Sequence, residues 1–566
     1  MKFTNFITYT GIPLYVVLVL ITWFVMYDAK EFVNIPSAAY VLVALFLLVI
    51  PVEITLVNRK RQAYGHKDFG LADMLGVRKE NEMETKEWQE RAYPEISEKY
   101  INKLPVDYVI GTYRNKYVSV PVSLKDGVNC YCLGGVGSGK SVTLIGMLLS
   151  CLYRDRFSKK NKQPFNFFVV DIKGEIYNTL LKIDGKYRAE DNYPIKVVQP
   201  SNRDSYGWDV FYRIRGNVSQ TVKIKAVNDI CEALIPSDGD QTYFTTNARK
   251  ALAGIFLHYI EQGWEFIPII QKISRTGFNE LLNEIVQEAE QSDEGIVLDM
   301  LKGYLGKDGN ESLQDIETTL KSNLGALSFP NIVYMCHTNP KKIDPSILDL
   351  GKENIDLAIE QGMLAAYRPV FRLITLQVLR HCEACFHEND NRMTALFYDE
   401  AAKIGEIDEL DLAMATLRSK KTSIILCFQS IHQFLEIYKK ERALTILGLC
   451  EMKIFLSGDG DKETLDYIST MAGEYQIKKR SYEKGGVLSL ESNLKYSDDF
   501  RKIINVESIM NLRERKEAIA FIYGKYYRFR KFEYYKDKYL KKIYEEIAAY
   551  NAAHSETKEN GGKQDE

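Results

Sequence analysis

The stretch that decides the fold is Gly134-Gly135-Val136-Gly137-Ser138-Gly139-Lys140-Ser141, a glycine-rich run that ends in lysine and serine. It fits G-x-x-x-x-G-K-[ST], the pattern of a phosphate-binding loop (P-loop). The apolar run before it, residues 128–133, predicts a short buried strand, and the run from Val142 to Leu149 predicts a helix. A strand, a glycine loop and a helix in this order form the context in which the motif binds nucleotide.

The chemistry of phosphate binding explains each residue type in this loop. Glycines have no side chain in the way, so their backbone N–H groups can curl around a phosphate. The start of the following helix adds partial positive charge that faces the anion. Lys140 can reach the β- and γ-phosphates, and the Ser141 hydroxyl can hold Mg²⁺. The sequence therefore predicts a site for ATP and Mg²⁺, formed by residues 134–141 and the first apolar residue of the helix, Val142.

Composition limits the remaining possibilities. A chain of 566 residues is long enough for roughly two to four domains. An apolar content of 46% excludes wholesale disorder, and a net charge of −2 gives no global basic field for nucleic acid. Nine cysteines, scattered and mostly in apolar runs, are typical of reduced cytosolic thiols rather than a disulfide framework.

The first 57 residues predict a membrane anchor. Phe6–Tyr27 carries no charge and is long enough to cross a hydrocarbon core of ~30 Å, and Ala38–Val57 carries only Glu53. The basic run Arg59–Arg61 follows directly, which favours a cytoplasmic location for both the N-terminus and the rest of the chain. A cleaved signal peptide is the alternative, but the first run is too long and no small-residue cleavage site follows it. We therefore predict a two-helix transmembrane hairpin over residues 1–57.

Acidic residues follow two later apolar runs that predict strands. Thr394–Tyr398 leads into Asp399 and Glu400, and Phe167–Val170 leads into Asp171. A nucleotide motor needs one carboxylate to hold Mg²⁺ and another to orient and deprotonate the attacking water. We assign Asp399 to the metal and Glu400 to the water, although turn-forming acids at strand ends are common.

The residues just after Asp171 leave two possibilities open. Asp171, Lys173 and Glu175 either line the nucleotide site or form an ordinary polar turn.

A third predicted strand, Ser423–Phe428, is preceded by Arg418 and followed by Gln429. An amide at a strand end can bond the γ-phosphate or the lytic water. An arginine before the strand can act as a finger on the ATP of a neighbouring subunit and neutralise charge in the transition state. Taken alone, the residues leave open whether Arg418 belongs to a solvated basic turn. The predicted catalytic residues are Lys140, Glu400, Arg418 and Gln429.

In these ordered motifs the sequence resembles the type IV secretion coupling proteins, the TraG/TrwB-like ATPases of bacterial conjugation. The segments that carry the resemblance are the predicted hairpin, residues 134–141, Val170–Glu175, Trp208–Phe211, Phe397–Gly405, and Phe428–Ser430 with Gln433 and Tyr438. The stretch Trp208–Phe211 lacks the proline of the family pattern. The family's arginine finger falls between the Asp-Glu strand and the glutamine strand, which corresponds to Arg418.

The resemblance implies a fold and a domain order. Family members have a RecA-like α/β P-loop domain with an inserted all-α domain, preceded here by the two-helix transmembrane hairpin. On that basis we predict a cytoplasmic stalk (58–105), the first part of the nucleotide-binding domain (106–218), the all-α insertion (219–328), the second part of the nucleotide-binding domain (329–550) and a disordered tail (551–566). Within the insertion the residue pattern predicts helices over 221–234, 243–261, 278–289, 295–305 and 311–327. Residues 331–336 and 355–357 are predicted to return to the sheet.

The resemblance also implies a function and partners. The chain would form a hexameric ring at the bacterial inner membrane as a multi-pass protein whose bulk is cytoplasmic. It would use ATP hydrolysis to deliver single-stranded DNA with its relaxase, or an effector protein, to other components of a type IV secretion channel. The alternatives are an FtsK-like translocase of double-stranded DNA and a membrane scaffold that binds nucleotide without catalysis.

Two weaker signals remain. Cys382 and Cys385 lie three residues apart, but a structural zinc site usually needs a second pair, so we favour a buried helix end. The aromatic and basic run Tyr523–Tyr535 is compatible with nucleic-acid stacking. We interpret it instead as part of a β-hairpin, with strands at residues 518–523 and 526–532.

Overall fold

The computed structural model describes residues 86–541, with gaps at 122–125, 158–164, 173, 175, 177–194, 217, 237–241, 306–310, 351–352, 385–392, 408, 458–461 and 484–492. The predicted hairpin (1–57), most of the predicted stalk and the predicted tail lie outside these residues. Within the described part of the chain, no helix is both long and apolar enough to cross a membrane.

The chain divides into two compact units. The smaller comprises Met1–Tyr93 and Gln476–Asp499. Its described part consists of a helix over residues 86–92 and most of a two-stranded sheet. The larger unit, Pro94–Tyr475 with Phe500–Glu566, contains the large sheet and the candidate site.

The strands, in chain order, are β1 (Ile101–Asn102), β2 (Tyr108–Tyr113), β3 (Lys116–Val120), β4 (Cys130–Leu133), β5 (Phe165–Asp171), β6 (Ile195–Val198), β7 (Gly207–Trp208), β8 (Lys342–Ile343), β9 (Asn354–Ala358), β10 (Met393–Tyr398), β11 (Thr422–Phe428), β12 (Met452–Phe455), β13 (Glu474–Glu483), β14 (Asn493–Lys502), β15 (Glu517–Ile522) and β16 (Lys525–Lys531).

The helices are α1 (Lys140–Phe157), α2 (Gln220–Leu234), α3 (Thr242–Glu261), α4 (Phe266–Arg275), α5 (Phe278–Gln291), α6 (Gly295–Leu301), α7 (Glu311–Leu324), α8 (Pro330–Val333), α9 (Leu364–Ala384), α10 (Ala401–Ile404), α11 (Leu410–Ser419), α12 (Ile431–Tyr438), α13 (Lys440–Gly448), α14 (Lys462–Ala472) and α15 (Val506–Met510).

Twelve of the described strands form one mixed sheet in the order β1-β3-β2-β16-β15-β12-β4-β11-β10-β5-β9-β6. The strands from β12 to β6 are parallel, and those from β15 to β1 extend the sheet with antiparallel neighbours. Parallel strands are covered on both faces, so they consist of continuous apolar runs. All seven residues of β5 and of β11 are buried. This burial confirms the strands predicted from the apolar runs before Gly134, Asp171, Asp399 and Gln429.

This topology explains why the predicted site residues lie together, because the carboxyl ends of parallel strands lie along one edge of a sheet. The P-loop follows β4, Asp171 ends β5, Asp399 follows β10 and Gln429 follows β11. Strand β11 lies between β4 and β10, which places Gln429 between the P-loop and the Asp399-Glu400 pair.

A helical segment, α2 to α7, lies between β7 and β8 in the chain. The predicted helices starting near residues 221, 243, 278, 295 and 311 are confirmed, whereas α4 was not predicted. The last turns of two of these helices are 3-10 rather than α, at Lys302–Tyr304 and Gly325–Ser328. The apolar core of the segment is continuous with the buried side chains on one face of the large sheet. Within the segment, buried His258 joins α3 to the α5–α6 connection through Glu294 (2.9 Å) and to α5 through Glu288 (3.1 Å).

One predicted return to the sheet is wrong. Residues 331–336 form the short helix α8 and then a π-helical turn, Tyr334–Thr338, instead of a strand. A short apolar run fits a strand and a buried helix equally well by periodicity. Pro330 decides in favour of the helix, because proline is suited to the first helical turn. The second predicted return, residues 355–357, is confirmed as part of β9.

The predicted C-terminal hairpin is confirmed. Strands β15 and β16 pair antiparallel, with Ile522 opposite Lys525 across the turn. Strand β15 also pairs with β12 and β16 with β2, so the hairpin joins the antiparallel extension to the parallel part of the sheet. Its aromatic side chains Phe521, Tyr527 and Phe529 are buried.

Candidate nucleotide site

The P-loop is held between neighbouring strands. The Gly134 N–H donates to the Phe428 carbonyl at 3.3 Å, and the Gly135 N–H donates to Ser457 Oγ at 3.1 Å. A Cβ atom added to Gly134 would lie 2.4 Å from Ser138 Oγ and 3.0 Å from its Cβ atom, so a larger residue there would displace the Ser138 side chain. Gly139 has a φ of +101°, a backbone conformation that other residues rarely adopt. These constraints explain the glycine pattern without reference to any ligand.

Lys140 is buried inside the loop. Its Nζ donates to the Gly134 carbonyl at 2.7 Å and to the Gly135 carbonyl at 3.3 Å. The same Nζ lies 3.6 Å from Glu400 Oε1, and the two side chains are 6% and 1% exposed. In this state the lysine is engaged by the loop and by the predicted water-activating carboxylate.

Glu400 is held from two sides. Besides the ammonium of Lys140, Gln429 Nε2 donates to its two carboxylate oxygens at 3.0 and 3.1 Å. Glu400 has a φ of 56° and directly precedes α10. Left-handed backbone is uncommon for a residue with a Cβ atom, and such outliers cluster at functional sites. The structure thus brings together three of the four predicted catalytic residues, Lys140, Glu400 and Gln429.

The predicted metal ligands lie at the same edge of the sheet. Asp399 is fully buried, and its N–H donates to the Val170 carbonyl at 3.0 Å. Ser141 lies in the first turn of α1. A carboxylate and a hydroxyl are the hard oxygen donors that Mg²⁺ prefers, so the donor set fits this ion. Buried Asp171 ends the adjacent strand, and its carbonyl accepts from the Ile359 N–H at 3.0 Å.

A further buried acid, Asp356, lies on β9. It is opposite Val169 of β5 and is fully buried. Burial raises the pKa of Asp356 well above its usual range, and the charge of Asp171 raises it further. The sequence analysis missed this residue, because a single acid inside a short apolar strand gives no recognisable pattern.

Arg418 does not lie at the P-loop of its own chain. Its carbonyl accepts from the Gly127 N–H at 2.7 Å, and its Nη1 lies 2.6 Å from Glu451 Oε1. Gly127 and Glu451 precede β4 and β12, so this ion pair lies at the amino ends of the parallel strands. The seven residues of β11 separate the two edges of the sheet by roughly 20 Å, at about 3.3 Å per residue. Arg418 could therefore reach a P-loop only in another copy of the chain.

Gln429 is directly continuous with a helix. Ser430 is the N-cap of α12, and its Oγ accepts from the Gln433 N–H at 3.3 Å. On the same helix, the Phe434 ring stacks on Phe428 at 4.9 Å, and the Tyr438 hydroxyl accepts from the Ile407 N–H at 3.3 Å. A serine cap contributes about 1 kcal/mol to a helix. Residues 429–433, Gln-Ser-Ile-His-Gln, thus run from the end of β11 into the capped helix α12.

Three residues at the P-loop were missed by sequence reasoning. Ser457 follows β12 and binds the Gly135 N–H, Lys531 Nζ donates to the Ser138 carbonyl at 2.9 Å, and Arg513 lies against Gly137. All three come from the last fifth of the chain. The only local signal near them is the apolar run Ile454-Phe455-Leu456 at the end of β12, and three residues are too few to predict a strand.

Several other predicted residues have a structural role or lie outside the description. Trp208 Nε1 donates to Gln377 Oε1 at 2.8 Å in the core. Lys173, Glu175 and Cys385 are outside the described residues. Within the described ranges, no cluster of three or more His, Cys, Asp or Glu side chains could hold a metal ion.

Comparison with known proteins identifies the family that the chain matches. Residues 112–559 match the family described as Type IV secretory system Conjugative DNA transfer. Protein VirD4 of Agrobacterium fabrum is 25% identical over 205 residues, and Protein VirD4 of Rhizobium rhizogenes is 24% identical over the same length. Each match covers 36% of this chain and 30% of the relative, so the chain matches less than a third of the length of these proteins.

Solved structures share the fold. The unbound monoclinic form of the bacterial conjugative coupling protein TrwBdeltaN70 has a TM-score of 0.57 at 18% identity and covers 75% of this chain and 88% of its own. The plasmid coupling protein TrwB in complex with the ATP analogue ADPNP (TM-score 0.56, 17% identity) covers 75% of this chain and 89% of its own. TrwB in complex with ADP and Mg²⁺ has the same TM-score and identity and covers 75% of this chain and 88% of its own. At these identities the likeness shows a shared RecA-like α/β fold.

Proposed function

Because the chain belongs to the Type IV secretory system conjugative DNA transfer family, we propose that it is a coupling ATPase. It hydrolyses ATP at the P-loop and uses the energy to move a substrate towards a type IV secretion channel. The contacts of Glu400 with Lys140 and Gln429 support this proposal most directly, because they join a P-loop lysine to a carboxylate suited to activate water. The ATP analogue, ADP and Mg²⁺ named for the TrwB complexes suggest the ligands.

Each predicted site residue then has a role. Residues 134–142 surround the phosphates, with Lys140 on the β- and γ-phosphates and Asp171 at the margin of the pocket. Ser141 and Asp399 would hold Mg²⁺, which supplies charge neutralisation on the phosphate oxygens when bound. Glu400 orients and deprotonates the attacking water, and Gln429 bonds the γ-phosphate or that water.

The contacts of Lys140 imply an ordered exchange of partners when a nucleotide binds. Lys140 must leave the loop carbonyls and Glu400 to reach a phosphate, and that departure frees the carboxylate to accept a proton from water. Gln429 donates to the same Glu400 carboxylate, so its hydrogen bonds must also rearrange when Lys140 moves away.

Arg418 supports a proposal of catalysis between subunits. It lies at the opposite edge of the sheet from the P-loop of its own chain, so it acts as a finger only on the nucleotide of a neighbouring copy. A closed ring of such contacts, hexameric in the arrangement that we propose, gives each nucleotide site one arginine from the next subunit. The pair with Glu451 holds the arginine in position before assembly and raises its pKa.

We further propose a bacterial inner-membrane location, with residues 1–57 as a two-helix anchor and the bulk of the chain in the cytoplasm. The proposed order of segments is a stalk (58–105), the RecA-like domain in two parts (106–218 and 329–550), the all-α insertion (219–328) and the tail (551–566). The proposed substrate is single-stranded DNA with its relaxase, or an effector protein, delivered to other components of the secretion apparatus.

A turnover assay tests the proposed activity. Full-length protein in lipid nanodiscs is expected to hydrolyse ATP, with stimulation by single-stranded DNA. Lys140→Ala should abolish both binding and turnover. Lys302→Ala, which removes an exposed lysine paired with Glu290 in the helical segment, is the control and should match the wild type. Turnover retained by Lys140→Ala would contradict the P-loop assignment.

Two other functions give different outcomes in this assay. A nucleotide-binding scaffold would bind ATP without turnover under any condition. An FtsK-like translocase would be stimulated by double-stranded rather than single-stranded DNA.

A further inference from the structure

Gly137 of the P-loop lies beside a segment from the far end of the chain. A Cβ atom added to Gly137 would lie 2.9 Å from Nη2 of Arg513 and 3.7 Å from its Cζ. Gly137 has a φ of +73°, and Arg513 is exposed. The guanidinium therefore lies directly against the loop, next to the backbone on which a phosphate would rest.

The position of Arg513 is fixed by its neighbours. Leu512 is fully buried, and its carbonyl accepts from the Glu517 N–H at 2.9 Å. The Arg513 carbonyl accepts from the Lys516 N–H at 3.1 Å, which closes a tight turn. The Lys516 carbonyl accepts from the N–H of Lys531, whose Nζ binds the Ser138 carbonyl. The turn is therefore joined to the P-loop through β16.

We propose that Arg513 binds the phosphate chain of the nucleotide held by the P-loop of its own subunit. A planar guanidinium with a fork of N–H donors matches phosphate oxygens in pairs and keeps its charge at every physiological pH. Lys140 is buried within the loop and Arg513 is exposed beside Gly137, so the two cations would approach the anion from different positions. This inference rests on the proposed function, because it presupposes that the P-loop binds a nucleotide.

Arg513 and Arg418 would then act on different nucleotides. Arg418 lies at the opposite edge of the sheet and belongs to the site of the neighbouring subunit, whereas Arg513 belongs to the site of its own chain. Loss of Arg513 should therefore weaken binding even in a monomer. Loss of Arg418 should affect only turnover in an assembled ring.

Titration of full-length protein with fluorescent ATP and ADP tests the proposal. Arg513→Ala should lower the affinity for both nucleotides by about tenfold or more, the usual effect of losing one charge-assisted hydrogen bond. The affinity of Arg513→Lys should lie between those of Arg513→Ala and the wild type. Arg515→Ala removes an equal charge from the same turn and should stay within about twofold of the wild type.

Two results would overturn the proposal. One is an Arg513→Ala affinity within about twofold of the wild type. The other is a melting temperature that falls in the absence of nucleotide as much as in its presence, because that would make the residue a structural support of the turn. The Lys140→Ala variant distinguishes failure of the Arg513 proposal from failure of the proposed function. If Lys140→Ala no longer binds nucleotide but Arg513→Ala still does, only the role of Arg513 is wrong. If Lys140→Ala still binds nucleotide, the proposed function is wrong.

Discussion

Replacement of Glu400 by glutamine should separate nucleotide binding from hydrolysis. The change keeps the shape of the side chain and removes the charge that lies 3.6 Å from Lys140 Nζ. Without the carboxylate, the proposed attacking water loses its base, and turnover should fall by about 10²- to 10⁴-fold. ATP binding, in contrast, should become tighter.

The size of the gain in ATP affinity follows from the distance between Lys140 and Glu400. Two unit charges 3.6 Å apart attract by about 5 kcal/mol at an effective dielectric constant of ~20, before the cost of burying them is subtracted. A net contribution of about 1.5–3 kcal/mol is the usual range for a hydrogen bond to a charged group. ATP must displace this contact to reach Lys140, so its removal should raise ATP affinity by about 10- to 100-fold.

A titration with fluorescent ATP and Mg²⁺, alongside a turnover assay, measures both effects. Glu409→Gln is a matched control, because Glu409 also has a left-handed φ (55°) before a short helix and also pairs with a cation, Arg380. It should leave binding and turnover unchanged. Affinity in Glu400→Gln that equals or falls below that of the wild type would refute the view that Glu400 restrains Lys140.

Other perturbations test separate parts of the molecule. Arg418→Ala should lower turnover by about 10³-fold in the assembled ring, as expected for an arginine finger, and should leave monomers unaffected. Equal loss in monomers would contradict action between subunits. Asp356→Asn should stabilise the protein at neutral pH in chemical denaturation, because burial raises the pKa of the acid and ionisation then opposes folding. The gain should vanish below about pH 4, where the acid is protonated in the folded and the unfolded chain alike, and a pH-independent effect would contradict this cause. Deletion of residues 1–57 should release an ATP-binding protein into the soluble fraction, and retention by membranes would count against the predicted hairpin.

Local patterns predicted much of the parallel part of the sheet. The P-loop, β5, β10 and β11 were predicted because buried parallel strands are unbroken apolar runs that end in polar residues. Residues 331–336 were predicted wrongly for the same reason, because an apolar run of six does not distinguish a strand from a helix. The order of the strands, with β12 beside β4 and the C-terminal hairpin beside β12, depends on pairings between distant segments that no local pattern records.

The candidate site was predictable to a similar extent. The residue types and their order assigned Lys140 to the P-loop and Glu400 and Gln429 to the ends of two predicted strands, all with catalytic roles. The contacts among them, the left-handed backbone of Glu400 and the approach of Arg513 to Gly137 depend on tertiary packing. The position of Arg418 at the opposite edge also follows only from the topology.

The continuity between Gln429 and α12 has a mechanical consequence. Ser430 caps the helix, Phe434 stacks on the strand end, and Tyr438 holds the chain at Ile407, so the segment is braced at both ends. A displacement of the Gln429 backbone on gain or loss of a γ-phosphate would therefore pass directly to the capped end of α12, because no linker separates the two. Through that end, α12 would report the chemical state of the pocket to the elements that pack against it.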